Sequence, residues 1–233
     1  MKNVFFALVF LPVFSFAQVT SKLVPASHVY VPNGFDDNDN VEVVISGYLP
    51  DSCYKAPKSI YKIEDHKIII TLSAIYNNES GVCNEVIVPF IETVRLGALT
   101  AKNYEIVVIS ANSQKLMSQL IVKKSNGTGI DDYNYAYVTG IRHVPGSKKV
   151  IIDGYNISDC FELQELKLES NGIDTYVILP IMKKTHDFCP RKMTPVTFEA
   201  ILPNGLRTKE ILLHVRSMQG NSVNSIYYTQ VLR

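Results

Sequence analysis

Four cysteines are the residues best spaced for chemistry: Cys53, Cys83, Cys160 and Cys189. They fall into two sets, Cys53 with Cys83 and Cys160 with Cys189, whose separations differ by a single position, and there is no C-x-x-C pair. That spacing points to structural disulfides rather than to a reactive thiol pair. His186-Asp187 lies close to Cys189, but a disulfide would consume the thiol that a cysteine–histidine pair needs. The five histidines, His28, His66, His143, His186 and His214, are too far apart for zinc spacing. The acidic run Asp36-Asp37-Asn38-Asp39-Asn40 invites a calcium reading. An EF-hand loop, however, needs glycine at its sixth place and an acid at its twelfth, where this chain has Val41 and Gly47. A solvated loop is the better reading, and no metal or other cofactor is predicted. There is no G-x-S-x-G elbow or phosphate loop. The chain reads as a non-enzymatic protein.

The cysteines belong to a longer pattern that occurs twice. Val43-Val44-Ile45-Ser46-Gly47-Tyr48, followed by Cys53, returns as Val150-Ile151-Ile152-Asp153-Gly154-Tyr155, followed by Cys160. The offset is the same at every one of these positions, and Tyr30-Val31 precedes Tyr137-Val138 by the same interval. A proline stands six places after the second cysteine of each set, Pro89 and Pro195, and Leu99 and Lys102 match Leu206 and Lys209. A repeat this long is a whole domain. Duplication selects Cys53–Cys83 and Cys160–Cys189 from the three possible pairings, because each copy must fold alone.

The elements that must position these cysteines read as strands. Lys67 to Ile75 alternates, with Ile68, Ile70, Leu72 and Ala74 on one face; Tyr104, Ile106 and Val108 repeat the pattern, as do Ile211, Leu213 and Val215. Period two with β-branched and aromatic residues argues half-buried strands. The first copy predicts strands near 27–31, 41–48, 58–63, 67–75, 86–95, 103–110 and 115–123. The second predicts them near 134–138, 148–155, 163–169, 173–182, 192–201, 208–217 and 222–232. Seven strands per copy, separated by turn signals such as Ser170-Asn171-Gly172 and Gln219-Gly220-Asn221, predict an all-β chain of two tandem immunoglobulin-like sandwiches. Most of the 13 tyrosines fall within strands and read as sheet or core residues.

Met1 to Ala17 has the form of a signal peptide, with Lys2, an apolar run from Val4 to Phe16 and Ser15-Phe16-Ala17 as cleavage site. The run is too short to span a bilayer. The predicted organisation is thus a signal peptide at 1–17, a first sandwich at 18–123, a polar linker at 124–132 and a second sandwich at 133–233. Without Lys2 the mature chain would hold 22 basic and 22 acidic side chains. That balance gives no electrostatic reason to expect nucleic acid or an anionic membrane as partner, and neither nucleic acid nor a membrane span of the mature chain is predicted. The predicted location is the periplasm or cell surface, and the predicted partner another envelope protein or a glycan. A hydrolase or inhibitor with its site at the domain junction is the alternative.

The strand ending in Gly-Tyr, the widely spaced cysteine pair that follows it and the proline beyond resemble uncharacterised secreted proteins of Gram-negative bacteria with immunoglobulin-like repeats. That resemblance implies the fold and no activity. Two sandwiches in a chain of this length are also similar to periplasmic pilus chaperones, whose signature residues cannot be placed here.

An extended tandem would bring the bottom of the first domain beside the top of the second. Asp36, Asp37, Asp39, Glu64 and Asp65 lie at that bottom, and Lys183, Lys184, Arg191 and Lys192 at that top. The expectation is that these opposite charges bias the interdomain angle, each exposed pair contributing about 0–1 kcal/mol.

Overall fold

The computed structural model describes residues 20–78, 81–112, 115–127, 129–131, 133–204, 206 and 208–229. The expected signal peptide, 1–17, and positions 230–232 of the last expected strand lie outside the described residues. The described chain is all β apart from one 3-10 turn, Met218–Gly220.

The first half contributes β1 (Thr20–Leu23), β2 (Ala26–Tyr30), β3 (Phe35–Asp36), β4 (Val41–Leu49), β5 (Tyr54–Glu64), β6 (Lys67–Tyr76), β7 (Val88–Gly97), β8 (Asn103–Ile109) and β9 (Leu116–Lys123). The second contributes β10 (Tyr137–His143), β11 (Lys149–Asn156), β12 (Phe161–Ser170), β13 (Thr175–Lys184), β14 (Thr194–Ile201), β15 (Glu210–Ser217) and β16 (Asn221–Tyr228). Strands β2-β4-β7 form one sheet and β5-β6-β8-β9 the core of another, with β1 and β3 at its margins. Strands β10-β11-β14 and β12-β13-β15-β16 repeat that arrangement. In each half one internal pairing is parallel, β6 with β8 and β13 with β15. An immunoglobulin sandwich has two antiparallel sheets, so the wiring departs from it at these contacts and at the short parallel β3–β9 pair of the first half.

Each sandwich closes on its own core. Val43, Ile45 and Val94 meet Ile68, Ile70, Ile106 and Leu120 in the first. Val150, Ile152 and Phe198 meet Ile178, Leu213 and Val215 in the second. The halves are not strung end to end. Tyr30 and Val44, on the outer face of the first three-stranded sheet, pack against Leu212 and Ile226 on the outer face of the second four-stranded sheet. The result is four sheets stacked in layers. This is why β4 and β15 are buried almost throughout: alternate residues face a core and the junction.

Two glycines of the repeated stretch serve the same purpose. A Cβ on Gly47 would collide with the carbonyl oxygen of Pro25, and one on Gly154 with that of Tyr137. Each carbonyl lies beside a bulge, between Ala26 and His28 or between Val138 and Gly140. The register corrects one sequence match. Gly47 pairs with Ala26 and Gly154 with Val138, so Ala26 is the counterpart of Val138. Tyr30 and Tyr137, aligned by the constant offset in sequence, are therefore not equivalent in the sheet.

Candidate functional site

The cysteines occupy matching frames at one end of each sandwich. The Cys53 N–H donates to Asp51 Oδ1 and the Cys160 N–H to Ser158 Oγ. Asn77 N–H donates to the Cys53 carbonyl and Thr185 N–H to that of Cys160. Cys53 and Cys83 are joined by a disulfide. Cys160 and Cys189 are not, which departs from the expected second bridge. The two thiols lie in contact, but each sulfur also points at a loop carbonyl, Cys160 at Phe188 and Cys189 at His186, both at 3.1 Å. Partial burial first, and then the Cys160 thiol, push the Cys189 thiol up.

The charges expected to meet across the junction do not do so. Lys183, Lys184, Arg191 and Lys192 are exposed on the far end of the second sandwich, because the halves stack through their faces and not their ends. Lys184 donates to the Asp187 carbonyl and Lys192 pairs with Asp159. Glu64 pairs with Lys62, and Asp65 with Lys102 and His66. The acidic loop is consumed locally. Asp36 Oδ1 accepts from Asn38 N–H, and Asp39 Oδ2 from Asp36 N–H. Asp37 takes the Lys124 ammonium at 2.5 Å and the Ser125 N–H, which clasps the linker and holds its carboxyl well below the usual range.

Asp39 does reach across, to an arginine that the sequence pattern does not single out. Arg216 lies 3.1 Å from Asp39 and 3.5 Å from Asp131, donates to the Gly34 carbonyl at 3.0 Å and sits over the Phe35 ring. Burial pushes the Asp39 carboxyl up, and Arg216 opposes the shift. Beside this pair, Glu42 accepts from Ser222 and Asn224 and lies 3.3 Å from His214. His28 and Asp174 pair at 2.5 Å nearer the rim. A strand that alternates polar and apolar residues looks the same whether its polar face meets water or a complementary face. The only available signal is the presence of His214 and Arg216 on one strand.

A mainly apolar cavity of about 300 Å³ opens at the same end of the second sandwich as Cys160. Tyr133, Tyr135, Tyr155, Phe161, Met182 and Met218 supply most of its apolar wall, with Asn134, Asn156, Asp131 and Gln219 among them. Its origin is a difference between the halves. In the first, β1 runs along β6 as far as Thr20. In the second, the equivalent contact is one bridge, Tyr135 to Ile181, with Met182 N–H donating to the Asn134 carbonyl. At Tyr133 the chain is no longer paired as a strand, and the space beside Met182 stays open. Tyr133 and Tyr155 remain 46% and 36% exposed at the rim. The sequence reads the tyrosines as core, and Tyr135, at 7%, fits that better.

The 3-10 turn on the cavity wall is fixed from both halves. Gly220 N–H donates to Asp131 Oδ2, and Asn40 of the first half donates to the Gly220 carbonyl. Gln219 is held at φ 61°, ψ 34°, a left-handed conformation unusual outside glycine and asparagine.

A family model described as the ORF11 beta-sandwich domain matches residues 43–120. The matched stretch runs from β4 into β9, about a third of the chain. No curated protein and no solved structure matches the chain. No helix among the described residues is long and apolar enough to cross a membrane.

Proposed function

We propose that this chain is an exported binding protein of the cell envelope, with two duplicated immunoglobulin-like halves, and that the tyrosine-lined cavity is its ligand site. The cavity carries this reading: it is concave, mainly apolar and has a few convergent polar groups, the usual character of a ligand pocket. Its walls offer aromatic faces, thioethers and amides, groups suited to binding rather than turnover. The matching wiring of the halves supports duplication. The Cys53–Cys83 disulfide supports export, because such bonds persist in oxidising compartments, and Met1 to Ala17 supplies the signal.

The test is capture from native envelope extract by immobilised mature protein beside its Tyr155→Ala variant. Material retained by the first and lost by the second supports the assignment. Identical capture by both places the binding surface elsewhere. Export is tested separately: the mature chain isolated from the envelope should begin at Gln18.

A further inference from the structure

We infer that the cavity takes a neutral pyranose ring, free or at the end of a glycan; this rests on the cavity being the ligand site. Three observations define the chemistry. First, the rim presents partly exposed aromatic rings, Tyr133 and Tyr155, with Phe161 also in the wall. The negative face of an aromatic ring attracts the weakly positive C–H groups along one side of a sugar.

Second, hydrogen-bonding amides line the cavity between the rings. Asn156 Nδ2 donates to the Phe161 carbonyl, which fixes that side chain on the wall. Asn134 and Gln219 add two more side-chain amides. Each amide both donates and accepts, as a sugar hydroxyl does. Gln219 is carried on a left-handed turn clamped by Asp131 and Asn40. A strained residue fixed on the wall of a cavity is the kind of outlier that marks a binding position.

Third, charge in the cavity is already neutralised. The one carboxylate among the described residues of its wall, Asp131, faces Arg216 at 3.5 Å and accepts from Gly220 N–H. A cationic ligand would have to compete with that arginine. An anionic one would meet no lysine or arginine among the described residues of the wall. A purely apolar ligand would cover the amides and leave them unpaired, which disfavours its binding. A neutral polyol with an apolar side meets all three conditions.

Saturation-transfer NMR on the mature protein tests this. The probes are the methyl glycosides of glucose, galactose, mannose and N-acetylglucosamine, the corresponding β-linked disaccharides, and p-cresol as an aromatic compound without the polyol. Transfer to the ring C–H protons of at least one sugar is expected. Tyr155→Ala should weaken that sugar's binding by about tenfold or more. Gln219→Gly keeps the left-handed turn without strain, so it should fold normally and still bind more weakly. A disaccharide that binds where its monosaccharide does not identifies a glycan chain as the source. Binding of p-cresol without any sugar overturns the pyranose assignment and leaves the cavity as a ligand site. Binding of neither overturns both.

Discussion

Glu42 and His214 face each other across the junction of the two halves at 3.3 Å, with side chains 4% and 1% exposed. Burial would raise the Glu42 carboxyl. The hydrogen bond and charge of His214, with Ser222 and Asn224, outweigh it and hold the group at about 2 against an ordinary 4.5. A depressed carboxylate stabilises the fold above its unfolded pKa and loses that contribution as pH falls through the folded one. The midpoint of urea unfolding should therefore drop between about pH 4.5 and pH 2. Glu42→Gln should lower stability at neutral pH by about 3 kcal/mol and flatten the acid limb. An unchanged acid limb in the variant would place the dependence on other carboxylates.

Removal of the Arg216 guanidinium leaves Asp39 and Asp131 buried without their cation. Arg216→Ala should cost about 3–5 kcal/mol. Charge reversal at Lys183 and Lys184 should change stability by no more than about 0.5 kcal/mol, because both are exposed and far from the junction. Small-angle scattering at low and high salt should give the same dimensions for the wild type and the double reversal. A salt-dependent expansion would restore the end-to-end arrangement.

Reduction should act unequally on the two cysteine pairs. The Cys53–Cys83 bridge closes a loop with a sequence separation of 30, worth about 3–4 kcal/mol in chain entropy. Cys53→Ser with Cys83→Ser should lower stability by about that amount. Cys160 and Cys189 already touch within the same backbone frame. They should therefore link to each other on exposure to oxidised glutathione, by thiolate attack and resolution of the mixed disulfide. Peptide mapping without reductant should recover 53–83 at once and 160–189 after oxidation; any cross-pairing between the halves would contradict the frame.

Gly47→Ala and Gly154→Ala should each destabilise by more than about 1 kcal/mol, since the new methyl would meet a backbone carbonyl in each case. Denaturation that separates the two halves should assign each loss to its own sandwich. A neutral change at either site would mean that the bulge beside it can move.

The strand positions are readable because period-two alternation survives burial. The span of β6, Lys67–Tyr76, falls within one position of its expected limits. Strand β1 escapes a sequence reading because Thr20-Ser21-Lys22-Leu23 is exposed and largely polar, and it pairs only at a sheet margin. The bulges beside Gly47 and Gly154 are equivalent, and it is the longer connection in the first half, 31–40 against 144–148, that displaces the apparent match of Tyr30 with Tyr137. The junction is hidden for a different reason. Glu42 between Val41 and Val43, and Ser46 after Ile45, look like a solvated face, and only the other half's His214 and Asn224 show what covers it. The cavity is hidden because it arises where the second half does not extend a pairing present in the first, and a missing contact leaves no pattern in residue types.

The contact between the halves joins two different faces, so nothing in its symmetry limits it to one repetition. A chain of identical modules stacked this way could grow without end, each adding its three-stranded face to the next four-stranded one. The second half breaks that series. Where the first half presents Glu42, Val44 and Ser46 to the junction, β11 presents Lys149, Ile151 and Asp153. Lys149 is tied to Glu199 and Asp153 to Arg142. These self-paired charges would have to be stripped of water to seat a third module. The difference between the two halves at those positions therefore disfavours docking of a further module on that face.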